Sequence, residues 1–252
     1  MNILVAAGGT GGDLFPAVSV IEQLQKLLGN KLSVIFVGNP NRIEAKVVPE
    51  LNFQFQPIPV TGFKGVFDRS TPLLPLRIIR SIVNVRSICQ KKKIDAILCG
   101  GTYISFPAGI VSSMLKIPMM LLEPNVLPGK TNRLLAKRAT SIILAFEQTK
   151  EYFPKELHKK MLVIGNPIRE SMLITLPDKK VALQKFGLHP DNPTVFLFGG
   201  SLGAYSLNIA VEHALEKFTQ NNIQLIWQTG KNYTPPQQLP EGIKVRSFID
   251  DM

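Results

Sequence analysis

Residues 2–13, NILVAAGGTGGD, predict a buried β-strand that runs directly into a glycine-rich turn. Four glycines around Thr10 let the backbone turn without Cβ clashes, so that its N–H groups can point at a bound oxygen. Pro16 and the apolar spacing after it predict that a helix starts there, with its positive end facing the same spot. A tight turn without a ligand needs only one or two glycines. We therefore predict a site for an anionic or oxygen-rich group.

Bulk composition places the chain among globular proteins with an anionic partner. Its 252 residues, 45% of them hydrophobic, are enough for two α/β domains. An excess of 29 basic over 18 acidic residues leaves a net charge of +11, which favours nucleic acid, anionic lipid or a phosphorylated substrate. The apolar runs are too short to cross a bilayer, and residues 1–3 do not open like a signal peptide. We expect a cytosolic location.

Cysteine and histidine usage predicts neither a disulfide framework nor a metal site. Cys89 and Cys99 have no metal-type spacing, so we expect two reduced thiols in the core. The three histidines are scattered along the chain.

Residues 71–93, TPLLPLRIIRSIVNVRSICQKKK, interleave apolar and basic side chains. Such a basic amphipathic helix can lie on an anionic membrane surface. A core helix with a solvated basic edge fits the helical part equally well, but the stiff apolar stretch 72–76 favours the membrane. Nucleic acid is disfavoured because the basic stretch lacks aromatic residues on which bases could stack.

Strand-like and helical runs alternate along the chain, which predicts an α/β fold with parallel sheets and helices on both faces. Ligands of such sheets bind beyond the carboxyl ends of the strands. We expect a first domain over residues 1–163 and a second, incomplete domain over 164–252. Predicted strands of the first domain cover 2–7, 32–37, 53–60 at an edge, 95–99, 118–122 and 141–145. Predicted elements of the second are helices at 178–188 and 206–219, a buried strand at 194–198, and strands at 223–228 and 243–248.

Further turns follow predicted strands in a fixed order. They are GGTYIS (100–105), EPN (123–125), GNPIR (165–169) and GGSLGA (199–204). Each alone is a weak signal, because glycine turns after strands are common. Their order, together with GGTGG (8–12), GKTNRLLAK (129–137) and VRSFIDDM (245–252), is specific.

In that order the segments resemble the MurG family of bacterial cell-wall N-acetylglucosaminyltransferases, over the whole chain. The resemblance implies a GT-B fold of two Rossmann-like, doubly wound domains, with the acceptor in the first and the UDP-sugar mostly in the second. It implies inverting transfer of GlcNAc from UDP-GlcNAc to undecaprenyl-pyrophosphoryl-MurNAc-pentapeptide, by a peripheral enzyme at the cytoplasmic face of the plasma membrane. No metal or other cofactor is implied.

The resemblance also assigns site residues. The acceptor pyrophosphate is expected at Gly8, Gly9, Thr10, Gly11, Gly12, Gly100, Gly101 and Thr102. The donor is expected at Thr10, Gly11, Gly12, Asn125, Arg169, Ser201 and, in the segment Phe248–Ile249, at the backbone of Ile249.

Two positions depart from the family pattern. Asp13 stands where the family usually has a histidine, a candidate base for the acceptor hydroxyl. A carboxylate can take that proton if its pKa is suitable, although its charge would repel the pyrophosphate. The alternative for Asp13 is an N-cap residue or an acid in the first turn of the following helix. Asn125 follows Leu122-Glu123-Pro124 instead of the usual His-Glu-Gln, and is alternatively a turn residue.

The family's glutamate for the ribose and its glutamine-containing sugar loop would lie beyond residue 252, so the donor site is expected to be incomplete on this chain. The alternative function is therefore a non-catalytic binder of lipid pyrophosphate. An NAD-dependent enzyme is disfavoured, because the first turn lacks G-x-G-x-x-G.

Overall fold

The computed structural model describes residues 1–63, 65, 68, 71–169, 177–200 and 203–249. The chain divides into two compact units, Met1–Leu173 and Ile174–Met252. The predicted boundary between residues 163 and 164 lies shortly before this division. The assignment of acceptor and donor roles to two domains stays a prediction.

The first unit contains a seven-stranded, all-parallel sheet with the order β3-β2-β1-β4-β5-β6-β7. The order reverses between β1 and β4, which is where open α/β sheets bind ligands at the carboxyl ends of their strands. The predicted third strand lies at the edge, as expected. The strands are β1 Asn2–Ala6, β2 Ser33–Gly38, β3 Gln54–Pro57, β4 Ala96–Cys99, β5 Met119–Glu123, β6 Ser141–Leu144 and β7 Met161–Val163.

Helices cover both faces of this sheet, because successive strand residues point to opposite sides. Leu4 and Ala6 enter a core cluster with residues of α3, α4 and α5, whereas Ile3 and Val5 enter another with residues of α1 and α2. The sequence analysis did not predict α2. The helices are α1 Gly11–Leu28, α2 Ile43–Glu50, α3 Leu74–Lys91, α4 Ser105–Leu115 and α5 Lys130–Leu135.

Helix α1 starts at Gly11, so the prediction that it starts at Pro16 is wrong. Thr10 has an extended backbone and precedes the helix, and the N–H of Leu14 donates to its carbonyl group over 3.1 Å. The first turn is thus closed before the proline is reached. Pro16 lies inside the helix, and because it has no N–H it leaves the carbonyl group of Gly12 without its usual helical donor.

The second unit contains a three-stranded parallel sheet with the order β10-β9-β8. The helix expected over 206–219 is interrupted, because the N–H of Ala214 bonds to the carbonyl three residues back, at Val211. The resolved elements are α6 Lys179–Lys185, β8 Thr194–Phe198, α7 Tyr205–Glu212, α8 Leu215–Gln220, β9 Gln224–Gln228 and β10 Ile243–Arg246.

Strand β8 is not the buried strand that the sequence predicted. It pairs with β9 on one side only, and Val195, Phe196 and Phe198 are exposed to 38%, 42% and 50%. The central strand β9 is fully buried and carries Trp227. Position at the sheet edge, and not hydrophobicity, therefore decides the burial of β8.

No helix in the described part of the chain is long and apolar enough to cross a membrane.

Candidate functional site

Two glycine turns meet where the strand order of the large sheet reverses. The first glycine turn, residues 8–13, follows β1, and the second, residues 100–102, follows the neighbouring β4. The N–H of Gly100 donates to the carbonyl of Ala6 over 3.0 Å. A Cβ atom on Gly100 would lie 2.8 Å from Cβ of Ala7 and 3.0 Å from the carbonyl oxygen of Asp13. Gly100 is therefore required by the close contact between the turns.

The first glycine turn holds a carboxylate of the chain itself. Glu44, on α2, is fully buried, and its Oε2 accepts a hydrogen bond from the N–H of Gly9 over 2.8 Å. A Cβ atom on Gly8 would lie 2.5 Å from Cδ of Glu44. The N–H of Gly9 is therefore already satisfied within the chain, and the predicted contact of Gly9 with the acceptor stays a prediction.

The four glycines of the first turn have different reasons to be glycine. Gly8 makes room for Glu44, and Gly9 has a positive φ of 91°. A Cβ atom on Gly11 would lie 3.2 Å from the ring of Phe15. At Gly12 the nearest described atom is Oγ1 of Thr10, at 3.8 Å, which is an ordinary contact. Gly12 is the glycine of this turn that packing within the described part of the chain does not require.

Asp13 lies in the first turn of α1, as the alternative of an early-turn acid expected, while Thr10 and not Asp13 is the N-cap residue. Its Oδ2 accepts a hydrogen bond from the hydroxyl of Thr10 over 2.6 Å. Burial raises the pKa of Asp13, and the charge of Glu123 raises it further, while the hydrogen bond from Thr10 lowers it. A carboxylate whose pKa is raised is a stronger proton acceptor once it has ionised, so the environment suits a base.

Glu123 ends β5 as a buried carboxylate with four hydrogen-bond donors. Oε1 accepts from the backbone N–H of Asn125 over 3.0 Å and from its side-chain amide over 3.1 Å. Oε2 accepts from the N–H of Gly129 and from the amide of Asn132, both over 2.9 Å. The side chain of Asn125 is thus turned back onto Glu123 in an exposed turn, and its predicted contact with the donor sugar stays a prediction.

The second glycine turn is also stabilised internally. The N–H of Gly101 donates to the hydroxyl of Ser105 over 3.1 Å, and that hydroxyl donates to the carbonyl of Ala6 over 2.7 Å. Gly101 has a φ of 86°, and a Cβ atom there would overlap the amide of Asn132. Oγ1 of Thr102 is buried and has no hydrogen-bond partner in the described part of the chain. In the second glycine turn, which is predicted to bind the acceptor, the hydroxyl group of Thr102 is thus still available for a hydrogen bond.

The segment GNPIR packs beside the first glycine turn, within the first unit. The guanidinium carbon of Arg169 lies 4.4 Å from the centroid of the Phe15 ring, a cation–π contact with α1. The amide of Asn166 donates to the carbonyl of Pro124 over 3.4 Å. Pro16, Glu123 and Asn166 are among the residues around a pocket of about 180 Å³, including its open mouth. The predicted donor contact of Arg169 stays a prediction.

The third glycine turn, residues 199–204, follows β8 in the second unit. Gly203 has a φ of 77°, and a Cβ atom there would overlap the carbonyl of Thr229. The amide of Gln228 donates to the carbonyl of Gly200 over 3.1 Å, and its Oε1 accepts from the N–H of Ile249 over 2.9 Å. The N–H of Ile249 is thus unavailable to a ligand. Ser201 lies outside the described residues.

Metal ligands do not cluster in the part of the chain that the structure describes, where no group of three or more His, Cys, Asp or Glu side chains is placed to hold an ion.

Glu44 was not predicted as a site residue. Its one signal was the spacing of Glu44 and Val48, four residues apart on a helix that was not predicted either. Both side chains lie on the buried face of α2. A charged residue in that pattern usually indicates a solvated helix edge.

Family models match both units. The glycosyltransferase family 28 N-terminal domain matches residues 3–144, and the glycosyltransferase family 28 C-terminal domain matches residues 194–252.

Curated relatives match along the whole chain. A protein of Christiangramia forsetii is 33% identical in an alignment of 254 residues that covers 100% of this chain and 68% of the relative. A protein of Bacteroides thetaiotaomicron is 34% identical over 262 residues, 100% of this chain and 69% of the relative. Both are named UDP-N-acetylglucosamine–N-acetylmuramyl-(pentapeptide) pyrophosphoryl-undecaprenol N-acetylglucosamine transferase. The chain thus spans about two thirds of their length.

Solved structures share the fold. Acinetobacter baumannii MurG aligns with a TM-score of 0.66 and 24% identity, covering 99% of this chain and 67% of that one. The UDP-GlcNAc 2-epimerase of Neisseria meningitidis, bound to UDP-GlcNAc, aligns with a TM-score of 0.63 and 20% identity. The alignment covers 98% of this chain and 72% of the epimerase chain. The predicted α/β fold of the GT-B class is confirmed.

Proposed function

The chain belongs to glycosyltransferase family 28, and on that premise we propose that it transfers N-acetylglucosamine from UDP-GlcNAc to N-acetylmuramyl-(pentapeptide) pyrophosphoryl-undecaprenol. The observation that carries the proposal is the match of 33% identity along the whole chain to a relative named for this reaction.

The acceptor diphosphate is proposed to bind at the start of α1. The N–H groups of Gly11, Gly12 and Asp13 lie in its first turn, where no helical carbonyl is available to them. Together with the helix dipole these groups attract an anion. Gly12 adds a stretch of backbone without a side chain, and the second glycine turn adds the hydroxyl of Thr102.

Asp13 is the proposed general base. Its carboxylate takes the proton of the acceptor O4 hydroxyl while that oxygen forms a bond to C1 of the donor sugar. The bond between C1 and the UDP oxygen breaks, and UDP leaves with the electron pair. Thr10 orients one oxygen of Asp13 through its hydrogen bond, and the second oxygen has no partner within the described residues. It is the oxygen suited to accept the proton.

Donor binding is assigned by resemblance to both units. In the second unit, the third glycine turn and Ser201 are proposed to hold the UDP diphosphate. Because the N–H of Ile249 is bonded to Gln228, its carbonyl is the backbone group left to contact uracil. Asn125 would contact the sugar after releasing its side-chain bond to Glu123, and Arg169 remains a proposed donor residue.

Membrane attachment is proposed through α3 and the turn before it. Val85 and Cys89 pack into the core, as the alternative of a core helix expected. On the outer surface, however, Leu76, Ile79 and Val83 are exposed to 46%, 58% and 60%. Arg80 and Arg86 are exposed on the same helix. An apolar stripe between arginines suits peripheral binding to the anionic cytoplasmic face of the membrane.

The alternative of a non-catalytic lipid-pyrophosphate binder is not favoured, because the family model of the C-terminal domain also matches the chain.

A transfer assay tests the proposal. The full chain is incubated with UDP-GlcNAc labelled in the sugar and with the undecaprenyl-linked acceptor in detergent micelles, and the label in the lipid phase is counted. We expect transfer that depends on the acceptor and is inhibited by UDP. Titration calorimetry with UDP-GlcNAc accompanies the assay. Acceptor binding without donor binding or transfer would contradict the proposal and support the binder.

A further inference from the structure

We propose that Glu44 is a positioning residue for the acceptor: it fixes the first glycine turn and restricts the diphosphate to the α1 side of that turn. This inference deepens the proposed function and rests on it.

The carboxylate of Glu44 joins the turns that follow two neighbouring strands. Its Oε2 accepts from the N–H of Gly9, after β1, over 2.8 Å, and its Oε1 accepts from the N–H of Asn39, after β2, over 2.9 Å. The amide of Asn39 in turn donates to the carbonyl of Val60 over 2.7 Å. One buried side chain thus ties the first glycine turn to two further segments of the first unit.

Two glycines make room for this carboxylate. A Cβ atom on Gly8 would lie 2.5 Å from Cδ of Glu44, and a Cβ atom on Gly38 would lie 2.5 Å from its Cγ. The ring of Tyr103 adjoins Gly9, where a Cβ atom would lie 3.4 Å from Cε1. The glutamate is therefore enclosed at the carboxyl ends of β1 and β2, in space that a ligand would otherwise reach.

The carboxylate of Glu44 makes the two ends of the first glycine turn unequal as sites for a bound anion. Because Glu44 occupies the amide of Gly9, a second anion at Gly8 and Gly9 would find that donor committed and a negative charge close by. The amides of Gly11 and Gly12, at the start of α1, donate to no carboxylate in the described contacts, so both remain available to a ligand. The acceptor diphosphate is thereby directed to the end of the turn that lies next to Asp13, the proposed base.

A Glu44→Gln variant tests this role, because glutamine has one accepting oxygen and cannot bond both amides. Loss of a charge-assisted hydrogen bond should raise KM for the lipid acceptor about tenfold or more. The KM for UDP-GlcNAc should rise by a smaller factor, because the UDP diphosphate is proposed to bind at the third glycine turn, in the second unit. A purely structural defect would lower the yield of active protein, but it would not raise the KM for the acceptor more than the KM for UDP-GlcNAc. The inference would be overturned if the KM for the acceptor changed by the same factor as the KM for UDP-GlcNAc, or if neither value differed from the wild type.

Glu50→Gln is the matched control. Glu50 lies on the same helix, is exposed, and forms an ion pair with Lys46 at 3.9 Å. The variant removes the same charge from α2 without touching the glycine turn, so both KM values should remain those of the wild type.

The wild-type protein supplies a test that needs neither a variant nor turnover. Inorganic pyrophosphate is titrated into ¹⁵N-labelled protein, and the amide signals of the first glycine turn are followed. The inference expects Gly11 and Gly12 to shift while Gly9 stays unchanged and protected from hydrogen exchange. A shift at Gly9 as large as that at Gly12, or no shift in the turn, would overturn it. Absence of GlcNAc transfer by the wild type would instead count against the proposed function.

Discussion

Burial raises the pKa of Asp13, and the charge of Glu123 raises it further, although the two carboxyl groups come from different elements. Asp13 belongs to the first turn of α1, and Glu123 ends β5. Four hydrogen-bond donors fix the side chain of Glu123 in this position. A carboxyl group whose pKa is raised by burial and by a neighbouring charge is a candidate general base.

A Glu123→Gln variant should lower the pKa of Asp13, because it removes a charge that raises this pKa. The acidic limb of the kcat/KM profile should therefore move to lower pH. Lost hydrogen bonds should also cost about 1–3 kcal/mol of unfolding free energy. The pH profile of transfer and a urea titration measure the two effects. Glu147→Gln removes an exposed charge that does not shift Asp13, so its profile should match the wild type.

An Asp13→Asn variant should unfold at a higher temperature and transfer poorly. Burial raises the pKa of Asp13 from its ordinary value of 3.8, so the native state binds the proton more tightly than the unfolded chain. Stability therefore falls as the pH rises from that value through the raised pKa, and the deficit persists at neutral pH. Asparagine removes the deficit and still accepts from Thr10. Loss of the base should slow transfer about 10²- to 10⁴-fold.

Calorimetric scans at neutral and acidic pH check the stability effect. The higher Tm of Asp13→Asn should disappear below the ordinary carboxyl pKa, because Asp13 is then protonated in both the native and the unfolded wild-type protein. An advantage that does not depend on pH would contradict this assignment.

A Gly12→Ala variant should fold at least as well as the wild type and lose acceptor binding. The nearest atom to a Cβ there is 3.8 Å away, and alanine in place of glycine stabilises a helix by about 0.5–1 kcal/mol. The added methyl group would instead meet the diphosphate. Gly109→Ala is the contrasting control, since its Cβ would lie 2.5 Å from the buried Leu135 and should cost stability. Thermal unfolding and the KM for the acceptor are measured for both variants. Unchanged transfer by Gly12→Ala would refute a close approach of the acceptor diphosphate to the backbone at Gly12.

Substitution of Arg80 and Arg86 by glutamine should weaken binding to vesicles that contain phosphatidylglycerol. Each basic residue near such a surface contributes about 1 kcal/mol, so two losses predict roughly 30-fold weaker binding at low salt. Lys155→Gln together with Lys159→Gln removes the same charge from an exposed turn of the first unit. That control should bind like the wild type in a vesicle sedimentation assay. Equal binding by both double variants would leave α3 as an ordinary core helix.

The two thiols should react slowly in the native protein. Burial raises the pKa of Cys89 to about 11 and that of Cys99 to about 12, so almost no thiolate exists at neutral pH. Alkylation by iodoacetamide, followed by mass spectrometry, should proceed only after unfolding in guanidinium. Rapid labelling of the native protein would contradict this.

Local sequence patterns predicted where β1 to β6 lie along the chain, because the signals of each strand lie close together, whereas β7 was not predicted. The apolar run 2–7 followed by glycine suffices to place β1, and prolines at 57 and 59 suffice to place β3 at an edge. Starts of helices were less predictable. Gly11 and Gly12 are poor helix formers, yet they lie in the first turn of α1, which the bond from the N–H of Leu14 to the carbonyl of Thr10 closes.

Long-range contacts explain what the sequence could not reveal about the site. Glu44 lies 35 residues from Gly9 along the chain, and no local pattern links the two. The exposure of β8 likewise depends on which strands flank it in space, since Phe196 and Phe198 are as apolar as the buried residues of β9.

The bare backbone at Gly12 also bears on drug resistance. An inhibitor packed against that peptide would occupy the surface proposed for the acceptor diphosphate. A cell could shield this surface only by adding a side chain, and under the proposed mode of binding that side chain would exclude the acceptor as well. Escape by point mutation would thus carry its own penalty.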